Sequence, residues 1–335
     1  MTESADRRVR LRVIRDFIRL LRPEFWLVCL LPCYLGFVLA SKELLPNFAW
    51  FIDLVHWMFR RGYDAEDFVR SFGGWVRAGT DFWFAIIALG PCIWGATLLF
   101  NDYWDLELDR HNPRRQHSPL VLGRLQPPVA LWGSAAVAIV GLTLAAPISP
   151  TFFVFMAGAT TLGWAYSAPP FRLKTRPGFD VAVNAIGIGV GCALAGWSLR
   201  QPLQAFPWIF LLQSVLLLVS LYLPSMMWDY EYDKALGART FVVVIGPQQA
   251  YIAGLALFTT SIVGAIGLAW ANFILPRAFL FLFVPASALM IWQYVHYIGG
   301  WRDPARLLRG IVYLSITIAV VHVVFLFMYT GIWRV

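Results

Sequence analysis

The sequence predicts an all-α fold, a polytopic membrane bundle of nine transmembrane helices, and three observations predict it. Only 14% of the 335 residues are charged and 59% are hydrophobic, giving a mean hydropathy of +0.65. A soluble domain carries about 25% charged residues, so most of this surface faces something other than water. Apolar runs close to the roughly 20 residues that cross a hydrocarbon core recur along the chain. Basic residues gather in alternate connections between those runs, which is the pattern of membrane topology rather than of a nucleic-acid-binding face, although the formal charge is +8.

The expected spans cover about 24–41, 82–104, 128–146, 150–167, 181–199, 207–228, 250–271, 276–298 and 311–333. Residues 1–23 form a basic segment ahead of them, and 24–333 the transmembrane domain. Its third and fourth spans are separated by PISP, a tight turn. The charged connections hold Arg110, Arg114, Arg115 and Arg124, then Arg172, Lys174 and Arg176, then Lys234 and Arg239, then Arg302, Arg306 and Arg309. With Arg7 to Arg22 before the first span, this places the N-terminus and the charged connections in the cytoplasm and the C-terminus outside. The opening residues are too charged for a signal peptide and lack a small-residue cleavage site. Residues 42–81 are an outer-side insertion of mixed charge, read as amphipathic helices on the interface with Trp50, Trp57 and Trp75 at headgroup level. Either a substrate lid or a passive cap fits that reading.

Cys29, Cys33, Cys92 and Cys192 all lie in apolar runs without metal-ligand spacing, and read as small packing residues. The five histidines are dispersed, with no zinc spacing. NAIGIGVGCALAG in the fifth span follows no strand, so its glycines read as close helix contacts rather than a dinucleotide fingerprint.

Two acidic motifs carry chemistry. The second span ends in NDYWDLELDR, where Asn101, Asp102, Asp105 and Asp109 fall within about a 100° arc at 100° per residue. Clustered carboxylates share protons or hold a cation, and an all-oxygen set suits magnesium, Mg2+, completed by substrate phosphates. The sixth span ends in MMWDYEYDKALGART, with Asp229 and Asp233 one turn apart on one face and Glu231 pointing away. Solvated helix ends are the plain alternative. After the fourth span, YSAPPFRLKTRPGFD offers Arg172, Lys174 and Arg176 to diphosphate oxygens, with Tyr166 as a hydrogen-bond donor. Positive charge is expected there for topological reasons too, so both readings stand, as they do for Arg114, Arg115 and Arg124.

In these segments the sequence resembles the UbiA superfamily of intramembrane prenyltransferases. NDxxDxxxD is matched by Asn101, Asp102, Asp105 and Asp109; DxExD with a following Gly and Thr by Asp229, Glu231, Asp233, Gly237 and Thr240. YSAPPFRLK and LRPEFW match the basic stretch and the usual start of the first helix. One departure is NPRRQHSPLVLG, which has Ser118 where many members carry arginine, leaving Arg114 or Arg115 as substitutes; the insertion at 42–81 is another.

The resemblance implies helices around a central cavity, two Mg2+ ions bridging the diphosphate of a polyprenyl diphosphate, and an opening towards membrane lipid. In that scheme Asn101, Asp105, Asp229 and Asp233 hold metal, supported by Asp102 and Asp109. Arg172, Lys174, Tyr166 and Arg115 bind diphosphate, Lys174 aids ionisation, and Asp233 takes the proton of a phenolic acceptor. The expected activity is transfer of an isoprenoid chain to an aromatic or other lipophilic acceptor, in the cell membrane with the site facing the cytoplasm. DYEYDKALGART resembles the branch near chlorophyll synthases and archaeal-type ether-lipid enzymes. A membrane terpene cyclase is the alternative within the superfamily. A secondary transporter is the alternative outside it, although transporter carboxylates sit near the midplane at broken helices.

Overall fold

The computed structural model describes residues 2–46 and 65–332. Trp50 and Trp57 therefore lie outside the described residues, and Trp75 falls within the helix Ala65–Ile87.

The helices, in chain order, are α1 (Thr2–Leu21), α2 (Leu27–Ser41), α3 (Ala65–Ile87), α4 (Gly95–Trp104), α5 (Leu106–Asp109), α6 (Pro127–Ala145) and α7 (Pro150–Ser167). They continue with α8 (Phe179–Asn184), α9 (Ala193–Trp197), α10 (Ile209–Ala235), α11 (Phe241–Ile245), α12 (Pro247–Trp270), α13 (Leu280–Tyr297) and α14 (Pro304–Tyr329). π-Helical stretches at Ala88–Trp94 and Ala185–Cys192 join α3 to α4 and α8 to α9.

Among the described residues, seven helical runs are long and apolar enough to cross a membrane: Gly79–Trp104, Pro127–Ala145, Phe179–Trp197, Ile209–Ala235, Pro247–Trp270, Arg277–Gly300 and Pro304–Tyr329. Leu11–Phe25 and Leu27–Ser41 make an eighth apolar stretch with a 53° bend. The break between them falls at Trp26, which ends the 3₁₀ turn Pro23–Phe25; Arg22, just ahead of that turn, has a left-handed backbone. α7 stands at the fourth expected position and is 18 residues long; its sequence includes Thr160, Thr161 and Tyr166. The expected count of nine is thus approximate. The second run starts at Gly79, a little ahead of its sequence limit, and the helix that carries it, α3, begins at Ala65.

Helix starts follow ordinary capping chemistry. Ser149 accepts a hydrogen bond from the Phe152 amide (3.1 Å) with Pro150 behind it, so PISP is a turn that starts α7. Asp303 caps α14 through the amides of Ala305 and Arg306 (2.9 and 3.3 Å).

Two compact units are present, and each carries one acidic motif. The first comprises Met1–Ser41, Leu45–Leu173 and Gly191–Gln204; the second comprises Lys42–Leu44, Lys174–Val190 and Ala205–Val335.

In the first unit, Cys29, Cys33 and Cys192 are buried with Ala88, Phe152 and Met156 in one apolar core, as expected of packing cysteines. α2 and α9 touch backbone to backbone. A Cβ on Gly36 would collide with the Ala193 carbonyl, and one on Gly196 with that of Cys33. Small residues permit this approach, which in lipid must be driven by van der Waals contact. A second cluster sets Leu20 of α1 against Leu99, Leu106 and Leu120, with Phe17 beside it. Thus the basic N-terminal segment is a helix seated on the element that carries the first motif. Asp16, buried among Arg15, Arg19 and Arg124 at 3.7–3.9 Å, ties α1 to the connection before α6.

In the second unit, α10 lies along α12. Polar pairs join its helices. Tyr294 donates to the Ser220 carbonyl (2.9 Å), Ser261 to Gln213 (3.1 Å), and Ser214 to the Gly189 carbonyl (2.8 Å). The last carbonyl lies in a π-helical stretch, where the widened turn disturbs the regular ladder.

Candidate active site

The first motif straddles a helix break. Asp105 closes α4 with φ −97° and ψ 0°, and the short helix α5 then carries on to Asp109. Helical hydrogen bonding persists across the break, from the Asp105 amide to Asn101 (2.9 Å) and from the Asp109 amide to Asp105 (2.8 Å). The four side chains are therefore held in helical register, two of them buried: Asp102 is 2% exposed and Asp109 9%.

Each acid of this motif faces its own guanidinium. Asp102 is hydrogen-bonded to Arg22, Asp105 accepts from Arg172 (3.3 Å), and Asp109 lies 3.7 Å from Arg115. Asn101 accepts a hydrogen bond from the Ser167 hydroxyl (2.9 Å) at the end of α7. Burial pushes the Asp109 carboxyl up to about 6; Arg115 opposes the rise, and Asp102 and Asp105 add to it. Arg22 and Arg172 share an unusual feature, a left-handed backbone with φ 49° and 38°. Such a conformation costs a side-chain-bearing residue about 1–2 kcal/mol, so tertiary contacts hold both arginines in place.

A cavity of about 700 Å³ lies beside Asp102, lined by Arg19, Arg22, Arg115, His117 and Arg124. Ser118 and Arg114 also border it, so the segment that departs from NxxxRPLxxG still delivers two arginines to this wall. Beside Asn101, Phe100 stacks on Trp164 (5.1 Å), an apolar wall near the acids.

The second motif ends α10. Gly237, in the left-handed conformation (φ 68°), closes the helix: its amide bonds to the Lys234 carbonyl (3.1 Å) and the Ala238 amide to the Asp233 carbonyl (2.9 Å). This pair of bonds is a Schellman motif. It turns the chain so that Thr240 donates from its hydroxyl to the Asp233 carboxylate (3.3 Å). The Gly and Thr after DxxxD thus have physical roles. Asp229 is half-buried one turn earlier and Glu231 is exposed, as its place on the opposite face requires.

Tyr166 is half-buried next to Ser167 in the first unit, and Lys174 is half-buried at the start of the second, in a 3₁₀ turn. Four contacts escaped sequence reasoning. Arg22 counts there as topological charge and as part of LRPEFW, without a partner; Ser167 and Asp180 stand in the quoted YSAPPFRLKTRPGFD without a role. The cap of Thr240 on Asp233 depends on the path of the turn.

All these donors are oxygens, the set that suits a hard cation. Among the described residues no three His, Cys, Asp or Glu side chains gather as a ready cage. Magnesium accepts such a site, taking one or two carboxylates and completing its shell with phosphate and water.

A model of the UbiA prenyltransferase family matches residues 68–316. The chain belongs to this family. As a UbiA family member with seven to eight membrane-length apolar stretches among its described residues, it is an integral membrane protein. It is 32% identical over 214 residues to a digeranylgeranylglyceryl phosphate synthase of Pyrococcus abyssi, covering 58% of this chain and 69% of the relative. To a lycopene elongase/hydratase of Halobacterium salinarum it is 30% identical over 172 residues, covering 48% and 58%. The chain spans about half the length of several curated relatives, 58%, 43% and 45% in three cases. A UbiA homolog from Archaeoglobus fulgidus, solved bound to DMAPP and Mg2+, shares the fold with a TM-score of 0.63 at 22% identity, covering 91% of this chain and 99% of that one.

Proposed function

We propose that this UbiA family member is a magnesium-dependent intramembrane prenyltransferase that moves an isoprenoid chain from a polyprenyl diphosphate to a lipophilic acceptor. One observation carries the reading: the acids of the first motif each face a guanidinium, and Asp102, Arg22 and Arg115 among them line an arginine-rich cavity of about 700 Å³. Mixed carboxylates and guanidiniums suit a metal–diphosphate pair, since the acids take the cation and the arginines take phosphate oxygens. The named relatives and the DMAPP-bound homolog support the same chemistry.

In this reading Asn101, Asp105, Asp229 and Asp233 hold magnesium, and Asp102 and Asp109 support them. Bound magnesium supplies charge neutralisation to the pyrophosphate leaving group. Arg172, Lys174, Tyr166 and Arg115 bind and orient the diphosphate, with Arg22 as a further cationic neighbour. The allylic C–O bond breaks, a bond from the acceptor to the prenyl carbon forms, and the acceptor loses a proton, to Asp233 where the acceptor is a phenol. Apolar walls such as Phe100 and Trp164 exclude water from the cationic carbon and face it with π-density. The site opens to the cytoplasm, with the N-terminus inside and the C-terminus outside the cell membrane.

A transporter is disfavoured because Asp105 and Asp109 follow the end of the Gly79–Trp104 run, and Asp229 and Asp233 occupy the last two turns of α10, away from a midplane site.

The test incubates purified protein with radiolabelled geranylgeranyl diphosphate, with and without Mg2+, against hydroxybenzoate, glycerol-phosphate, chlorophyllide and carotenoid acceptors. Labelled adduct that needs both acceptor and Mg2+ is the expected result. Hydrocarbon formed without acceptor identifies a cyclase instead. Asp105→Ala and Asp233→Ala are each expected to abolish turnover in folded protein, and retained activity in either removes that residue from the metal site.

A further inference from the structure

We propose that Asp180 is a positioning residue that fixes the second acidic motif for metal binding. The proposal rests on the reading of Asp229 and Asp233 as magnesium ligands and adds a residue outside that ligand set. Asp180 is the second residue of α8 and is 1% exposed. Its Oδ1 accepts from the amides of Gly178 (2.8 Å) and Val181 (3.0 Å), and its Oδ2 from the amide of Phe241 (2.6 Å), 61 residues along the chain.

A carboxylate buried to this degree needs compensation, and three amide donors point at it. Two of them belong to its own helix start, where a first-turn carboxylate meets amides that lack helical partners. The third does not. Phe241 is the first residue of α11, and directly before it stands Thr240, whose hydroxyl donates to Asp233.

A continuous chain of bonds therefore runs from Asp180, through the Phe241 amide and the Thr240 side chain, to the Asp233 carboxylate. At the near end, the Schellman bonds of Gly237 and Ala238 hold the other side of the same turn. The turn 237–241 is thus clamped at both ends, and Thr240 has one place from which to orient Asp233. Partners that orient a metal-ligating carboxylate are worth about 10–100-fold in metal affinity.

Asp180→Asn puts an NH₂ donor against a backbone amide and breaks one of the three bonds at nearly constant shape. Thr240→Val breaks the last link and leaves Asp180 intact. Manganese titration of the full-length protein in detergent with pyrophosphate present, read by electron paramagnetic resonance, reports metal binding without turnover. Both variants are expected to weaken Mn2+ about tenfold or more and to raise the Mg2+ needed for half-maximal prenyl transfer by a similar factor. The double variant should lose no more than the worse single one, since both cut the same chain. Phe241→Pro removes the donated amide at a first helical position where proline is tolerated, with Phe241→Ala as the control for the ring lost with it, and gives the same outcome if Asp180→Asn fails to fold.

Unchanged Mn2+ affinity in folded Asp180→Asn or Phe241→Pro overturns the proposal, as does a double variant whose losses multiply. Wild-type protein that binds no Mn2+ with pyrophosphate overturns the underlying metal reading instead.

Discussion

Arg172 shows how one side chain joins two requirements. It holds Asp105 at 3.3 Å from a left-handed backbone position, and it stands in the basic segment assigned to the diphosphate. A hydrogen bond to a charged partner is worth about 1.5–3 kcal/mol, so Arg172→Gln should lower kcat/KM for the prenyl diphosphate roughly ten- to hundredfold. Arg172→Lys restores charge without the planar fork and should recover only part of that loss; steady-state kinetics at saturating acceptor distinguish the two. At this scale the sequence was informative about kinds of residue. NDxxDxxxD and DxExD are visible as oxygen-rich helix ends, and both sit at helix ends in the structure. Partners were not visible. Nothing in the spacing pairs Asp102 with Arg22, 80 positions earlier, or Asp109 with Arg115 rather than Arg114.

At the scale of elements, the end of α10 depends on one backbone conformation. Gly237 has open space where a Cβ would stand, so its substitution costs conformational energy rather than a clash. Gly237→Ala should destabilise by about 1–2 kcal/mol. Gly237→Asn should cost less, since asparagine visits the left-handed region more readily. Thermal unfolding in detergent measures both. Gly196 poses the opposite case, because a Cβ there meets the Cys33 carbonyl, which cannot swing away. Gly196→Ala should force α9 from α2 and cost about 1–3 kcal/mol, seen as a lower unfolding temperature with no change in Mg2+ requirement. The glycine-rich fifth span was legible as a close-packing helix. Its π-helical stretch was not, because a widened turn answers to neighbours such as Ser214 rather than to local composition. The same holds for α3, whose start at Ala65 runs an amphipathic segment directly into the second span.

For the whole molecule, the proposed orientation is testable because the four native cysteines are buried. Gln116→Cys and Gln204→Cys place thiols at exposed positions in connections assigned to opposite sides. A membrane-impermeant maleimide added to intact cells should label position 204 and reach position 116 only after lysis; the reverse pattern inverts the topology. By itself the sequence determined that this is a helical membrane protein, roughly where its spans lie, and that its acids stand at two helix ends. Hydropathy, charge asymmetry and helical periodicity act over a few residues to a few tens, so one sequence records them directly. Tertiary structure alone decided that α1 rests on the first motif, that each of its acids meets a separate arginine, and that Asp180 reaches the turn after the second motif. Those are contacts between residues far apart in the chain, fixed by how helices are cut, capped and packed, and no local pattern encodes them.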